Sequence, residues 1–171
     1  MRLQGYDYRQ AGGYFVTVHT QGWQHLFGKI TDGEMLLNDF GRIVQRIWLN
    51  LPDHYTGIEL DEYVVMPNHF HGIVFINGLI KTRSLDDNLV SAGLKPALTK
   101  GINSAPAIHS ISEVVRALKT FSAREINKMR HTPGIRVWQK DFYDRIIRSE
   151  EELDRVRDYI RSNSARFTDD K

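Results

Sequence analysis

His69-Phe70-His71, together with Tyr159 and Asn163, are the residues of this chain whose types and spacing can do chemistry together. Side chains alternate along a β-strand, so two imidazoles separated by one residue leave the same face and Phe70 leaves the other. Two imidazoles on one rigid face can hold a divalent cation while Phe70 packs behind them. A pair does not complete a metal site, and a further oxygen or nitrogen donor has to come from elsewhere. Taken alone, His-x-His is more often two half-buried histidines satisfied by backbone carbonyls. Tyr159 and Asn163 stand four residues apart in a helical pattern, so they stack on one helix face. Each also has a plain structural use, Tyr159 at the rim of a helix core and Asn163 as a helix-end cap. Combined, the four residues make a coherent device. His69, His71 and the Asn163 oxygen would hold one Mg²⁺ or Mn²⁺, and the Tyr159 phenol would attack a phosphodiester. A covalent phosphotyrosine conserves the energy of the bond it replaces, so another strand's hydroxyl can reverse it. That is strand transfer rather than hydrolysis.

These groups need a scaffold, and the hydrophobic pattern supplies one. Residues 13–20, 57–66 and 69–76 are rich in β-branched and aromatic side chains and read as strands. The short Pro67-Asn68 link joins the last two as an antiparallel pair. Residues 34–50 carry apolar side chains at helical spacing, from Leu36 and Leu37 to Ile47 and Trp48, with Pro52 ending the helix. Ser110-x-x-Glu113 is a capping box that opens a helix to about residue 130, with Ile111, Val114, Val115, Leu118 and Phe121 facing inward. Residues 135–147 read as strand, turn and short strand. Ser149-x-x-Glu152 opens a last helix to about Ser162, with Leu153, Val156 and Ile160 as its apolar stripe. The order matches an α+β, ferredoxin-like split βαβ arrangement: an antiparallel sheet, helices on one face, and a C-terminal helix carrying the nucleophile.

The 171 residues suit one domain, 1–171, and a composition 41% hydrophobic and 26% charged suits a packed core. The segment 78–108 is rich in Gly, Ser, Asn and Pro and reads as a long flexible loop, a candidate DNA-contacting flap. With no cysteine, disulfides, thiolate nucleophiles and Cys-based zinc sites are excluded. The N-terminus has no apolar stretch and nothing approaches membrane-spanning length. A cytoplasmic protein with no membrane partner, nucleoid-associated when bound to DNA, is expected. The net charge is only +2, yet residues 116–148 hold nine Lys/Arg against three acids, a local +6. Such a segment suits a polyanion. Arg116, Lys119, Arg124 and Lys128 on the helix, with Lys140 and Arg145 beyond it, are candidate phosphate contacts. Trp138 is a candidate for stacking a base, against core packing as its ordinary use.

The context of these residues resembles the REP-associated tyrosine transposases, relatives of the single-tyrosine insertion-sequence transposases with an HUH motif. GGYFVTVHTQGWQHLFG at 12–28 resembles their opening strand and loop, and LDEYVVMPNHFHGIV at 60–74 their metal-binding hairpin. VWQKDFYDRIIRSEEELDRVRDYIRSN at 137–163 resembles their closing segment. The resemblance implies His69 and His71 as metal ligands, Tyr159 as nucleophile, and Asn163 as the polar residue that assists the metal. It implies metal-dependent nicking and joining of single-stranded DNA bearing hairpins, through a 5′-phosphotyrosine. Where that family has Asn-Pro after the tyrosine helix, this chain has Asn163-Ser164. The family includes homodimers that exchange the tyrosine helix and proteins that keep it within one subunit, and both remain open. Two other readings stand beside the enzyme. One is a hairpin-binding module that does not cut. The other is a metallohydrolase that recruits His54, Glu59 or Asp61 as further ligands.

Overall fold

β1 (Gly12–His19) opens the chain's regular structure and leads through a single 3-10 turn at Gln21–Trp23 to a small hairpin of β2 (Gly28–Thr31) and β3 (Glu34–Leu37). α1 (Asp39–Leu49), α2 (Leu51–His54), β4 (Ile58–Val65) and β5 (His69–Ile76) follow. α3 (Ile111–Met129), β6 (Tyr143–Ile147), α4 (Glu150–Arg161) and α5 (Asn163–Arg166) complete the order. The structure, a computed structural model, describes residues 11–77 and 109–167, so the segment read as a loop at 78–108 lies outside the described residues.

The main sheet runs β4-β5-β1-β6 with every neighbouring pair antiparallel. β1 and β4 are connected through α1 but leave room for β5 between them, which is the split βαβ expected from the sequence. Strand parity then decides what each face does. On one face Tyr14, Val16 and Val18 of β1 and Phe70 and Val74 of β5 join Ile43, Val44 and Trp48 of α1 and Val114, Val115 and Leu118 of α3 in the main core. Gly72 leaves the space that Trp48 fills, since a Cβ there would lie 2.8 Å from the Trp48 ring. On the opposite face Ile73 meets Leu153, Val156 and Ile160 of α4. The same parity that buries Phe70 among the helices therefore turns His69 and His71 toward α4.

Several elements differ from the sequence expectation. The helix expected from residue 34 begins at Asp39, where the Asn38 side chain caps it by accepting the Gly41 N–H at 3.0 Å. Residues 34–37 instead form a strand, and Leu36 is left exposed on it. Pro52 stands in the first turn of α2, where its missing N–H costs nothing, rather than only ending α1. Phe121 points outward on α3. Residues 135–142 contribute only the bridge between Trp138 and Thr20, and the strand starts at Tyr143. The capping box of α3 forms with both of its hydrogen bonds. Among the described residues no helix is long and apolar enough to cross a membrane.

Candidate functional site

β1 and β5 pair so that His19 lies opposite His69 and Thr17 opposite His71. All four side chains share the face that α4 covers. Thr17 Oγ1 is 2.8 Å from His71 Nδ1, and Asn68 Oδ1 is 2.7 Å from His69 Nδ1. Each imidazole thus has one nitrogen engaged by a neighbour, which sets the ring's orientation and leaves Nε2 as the other nitrogen. The two rings lie 4.6 Å apart between centroids. Burial holds both in the neutral form: His69 is pushed down to about 4 and His71 to about 3, with neighbouring histidines adding to the effect.

α4 delivers the remaining groups. Val156 and Ile160 anchor it in the small core, and Tyr159 stands beside that stripe. Its hydroxyl is 3.4 Å from His71 Nε2, while its ring makes edge contacts with His71 and Phe15. α4 breaks at Ser162, and Asn163 begins a separate turn, α5. Asn163 is nonetheless buried and hydrogen-bonds the His69 ring. His69, His71, Tyr159 and Asn163 line one open cavity of about 560 Å³, together with His19, Trp23 and Arg166.

No family model matches the chain. An uncharacterized protein of Haemophilus influenzae is 33% identical to it over 171 residues, covering 100% of this chain and 90% of that protein. The two belong to one family. A REP-associated tyrosine transposase, solved bound to a REP hairpin, aligns with 95% of this chain and 72% of its own at a TM-score of 0.53 and 16% identity. The chain has the tyrosine-transposase fold.

Within this transposase fold, a device not read from the sequence seats α4. The pairing of β4 with β5 shifts between Leu60 and Tyr63, placing Asp61 and Glu62 in a β-bulge. A bulge breaks strict alternation, which allows two consecutive side chains to serve the same partner. Arg157 grips both oxygens of Asp61, from Nε at 3.1 Å and Nη2 at 2.6 Å. One turn later, Arg161 donates to Glu62 at 2.7 Å. The two arginines flank Tyr159 along the helix. Hydrogen bonding by Arg157 holds the Asp61 carboxyl below its ordinary range, and the same bond raises Arg157 further. Asp61 is therefore committed to a guanidinium rather than to a metal. Among the described residues no group of three or more His, Asp or Glu is arranged to hold a metal ion.

The basic residues divide. Lys119, Arg124 and Lys128 of α3 line a second open groove of about 810 Å³, joined by His131 and Arg136. Lys119 is tied within it, its Nζ donating to the Lys140 carbonyl at 2.7 Å. Arg116 is exposed but does not line this groove. Arg145 is paired with Glu152 at 2.6 Å and so is partly committed within the protein. Trp138 is a correction to the stacking expectation. It is 5% exposed, packs on Phe27, and donates its indole N–H to Ser122 Oγ at 2.9 Å. A ring held this way forms the groove's wall and offers no free face to a base.

Proposed function

We propose that this protein cleaves and rejoins single-stranded DNA through a covalent bond between Tyr159 and the 5′-phosphate of the cut strand. The reading rests above all on the 3.4 Å separation between the Tyr159 hydroxyl and His71 Nε2, across 88 residues of chain. The apolar stripe of α4 docks the last long helix on this face of the sheet, and that docking sets the phenol beside the imidazole pair at a solvent-open cavity. In the reaction the Tyr159 oxygen bonds to phosphorus as the P–O3′ bond breaks. The proton lost by the phenol is balanced by the one taken up at the released 3′-hydroxyl. Strand joining is the same exchange run backwards with a different 3′-hydroxyl.

The donor set fits a divalent cation of the Mg²⁺ or Mn²⁺ type: two imidazoles held neutral, each oriented through Nδ1, with the buried Asn163 amide beside them. When bound there, such an ion supplies positive charge to the scissile phosphate. Thr17 and Asn68 keep the imidazoles aimed, and Val156 and Ile160 seat the helix that presents the phenol. The basic groove on α3 suits the phosphates of a folded flank such as a DNA hairpin, the ligand with which the transposase of the same fold was solved.

Incubation with a hairpin-bearing oligonucleotide and Mn²⁺ is expected to give a protein–DNA adduct that resists denaturing electrophoresis, and chelation should prevent it. Binding without adduct on hairpin substrates with either metal would instead assign a hairpin-binding protein. The clamp on α4 gives a second test. Arg157→Asp should slow adduct formation by about tenfold to a hundredfold through misplacement of the phenol. Combining it with Asp61→Arg should recover part of the rate, as a re-formed pair would. An unimpaired single variant would show that the clamp does not position Tyr159.

A further inference from the structure

Three rings outside the chemistry above stand in a row beside the cavity. Trp23 is 56% exposed, in contrast to the chain's other two tryptophans, Trp48 and Trp138, at 0% and 5%. It is also held in a conformation that bulky residues avoid, with φ of 58° directly after Gly22 at 64°. The turn is braced from below. The Trp23 N–H donates to the Thr20 carbonyl, while buried Thr20 donates its own N–H to the Asn68 carbonyl, next to His69, and its hydroxyl to the Gln24 carbonyl at 2.8 Å. Trp23 lies against His19 with ring centroids 4.2 Å apart, and Tyr143, 62% exposed, meets His19 edge-on at 5.8 Å. His19 in turn is 5.7 Å from His69. A braced, exposed indole in a strained turn at the mouth of a cavity is poorly explained by folding, because exposing it forfeits the burial that stabilises Trp48 and Trp138.

We infer that Trp23, His19 and Tyr143 form a stacking platform for the unpaired nucleobases that flank the phosphate in the cavity. The inference rests on the proposed DNA reaction and adds to it the side chains that hold the substrate's bases. A base has an apolar face that an aromatic ring covers whatever its sequence, and Arg166 at the cavity lining suits the phosphates between bases. In a duplex those faces are already stacked on one another. These rings therefore have more to cover on an unpaired strand than on a duplex.

The probe is an oligothymidylate of about twelve nucleotides, a length within the range of single-strand sites. It is titrated into the full-length protein in chelator so that no cutting occurs. Because the other tryptophans are buried, quenching of intrinsic fluorescence should come from Trp23. Quenching is expected with the single strand, and little with the corresponding duplex or with a strand whose central nucleosides are abasic. Trp23→Ala should lose most of the quenching and bind about tenfold more weakly, and Trp23→Phe should regain most of the affinity. Equal affinity for the abasic strand, or an unchanged Kd in Trp23→Ala, would overturn the platform. The two readings fail separately. Stacking without any adduct on hairpin substrates sinks the cleavage reaction and leaves the platform. An adduct whose formation is indifferent to Trp23→Ala and to missing bases sinks the platform and leaves the reaction.

Discussion

Tyr159→Phe is expected to reduce covalent adduct formation by on the order of a thousandfold or more, the scale of loss when a covalent nucleophile is removed. The substitution deletes one oxygen and little else. Tyr159 is 42% exposed, and its hydroxyl contact with His71 Nε2, at 3.4 Å, is long for a hydrogen bond, so the fold gains little from it. The phenylalanine ring keeps the edge contacts with Phe15 and His71, and Val156 and Ile160 still hold α4 in place. Melting temperature and binding of hairpin DNA should therefore stay close to those of the parent while the adduct vanishes. Electrophoresis of denatured protein with labelled DNA measures one, and anisotropy of the same DNA measures the other. Tyr143 is the rival phenol. It sits on β6, more exposed than Tyr159, and among the described contacts it meets His19 rather than the imidazole pair. An adduct that persists in Tyr159→Phe and disappears in Tyr143→Phe would transfer the nucleophile to β6.

The reach of sequence reasoning here follows from the distance over which each signal acts. The aim of His69 and His71 was legible because strand parity is a property of three consecutive residues, and β5 occupies the span expected of it. The two serine caps were legible for the same reason, since N-cap chemistry closes within one turn. The β2–β3 hairpin was missed although its signal was present. Asp32-Gly33 supplies two successive positive φ values, 53° and 78°, as a tight hairpin turn demands, but the apolar run that follows continued smoothly into the helical pattern of α1. Trp138 and Phe121 show the limit of type-based guesses. Whether an aromatic ring faces solvent depends on Ser122 and Phe27 in the first case and on the neighbours of α3 in the second, none of them visible in local periodicity. The clamp was least accessible. Asp61 and Arg157 are 96 residues apart, and their meeting depends on a bulge that no propensity scale marks. Thr17, which orients His71, belongs to a strand whose register with β5 only the assembled sheet defines.

Acidification should destabilise the metal-free protein well above the pH at which its carboxylates protonate. In the folded state burial lowers His69 to about 4 and His71 to about 3, whereas in the unfolded chain both return to near 6.5. Between those limits the unfolded chain binds protons that the folded chain refuses, so stability falls as pH drops below about 6.5 and does not depend on these groups above it. Each imidazole then costs on the order of 2 kcal/mol by about pH 5. For a chain of this length the pair corresponds to a fall of about 10 °C in melting temperature. The acids that the fold holds low, Asp61 among them, begin to contribute only below that window. Thermal melts in chelator from pH 7.5 to 5 measure the slope. His71→Gln keeps an amide for Thr17 but cannot titrate, so its slope should be shallower than the parent's, with His69 and the partly buried His19 still contributing. A flat profile in the parent would mean that the imidazoles accept protons in place. The cavity would then have to hydrate or open enough to solvate a charge, and the neutral pair on which the metal site depends would not be a property of the fold.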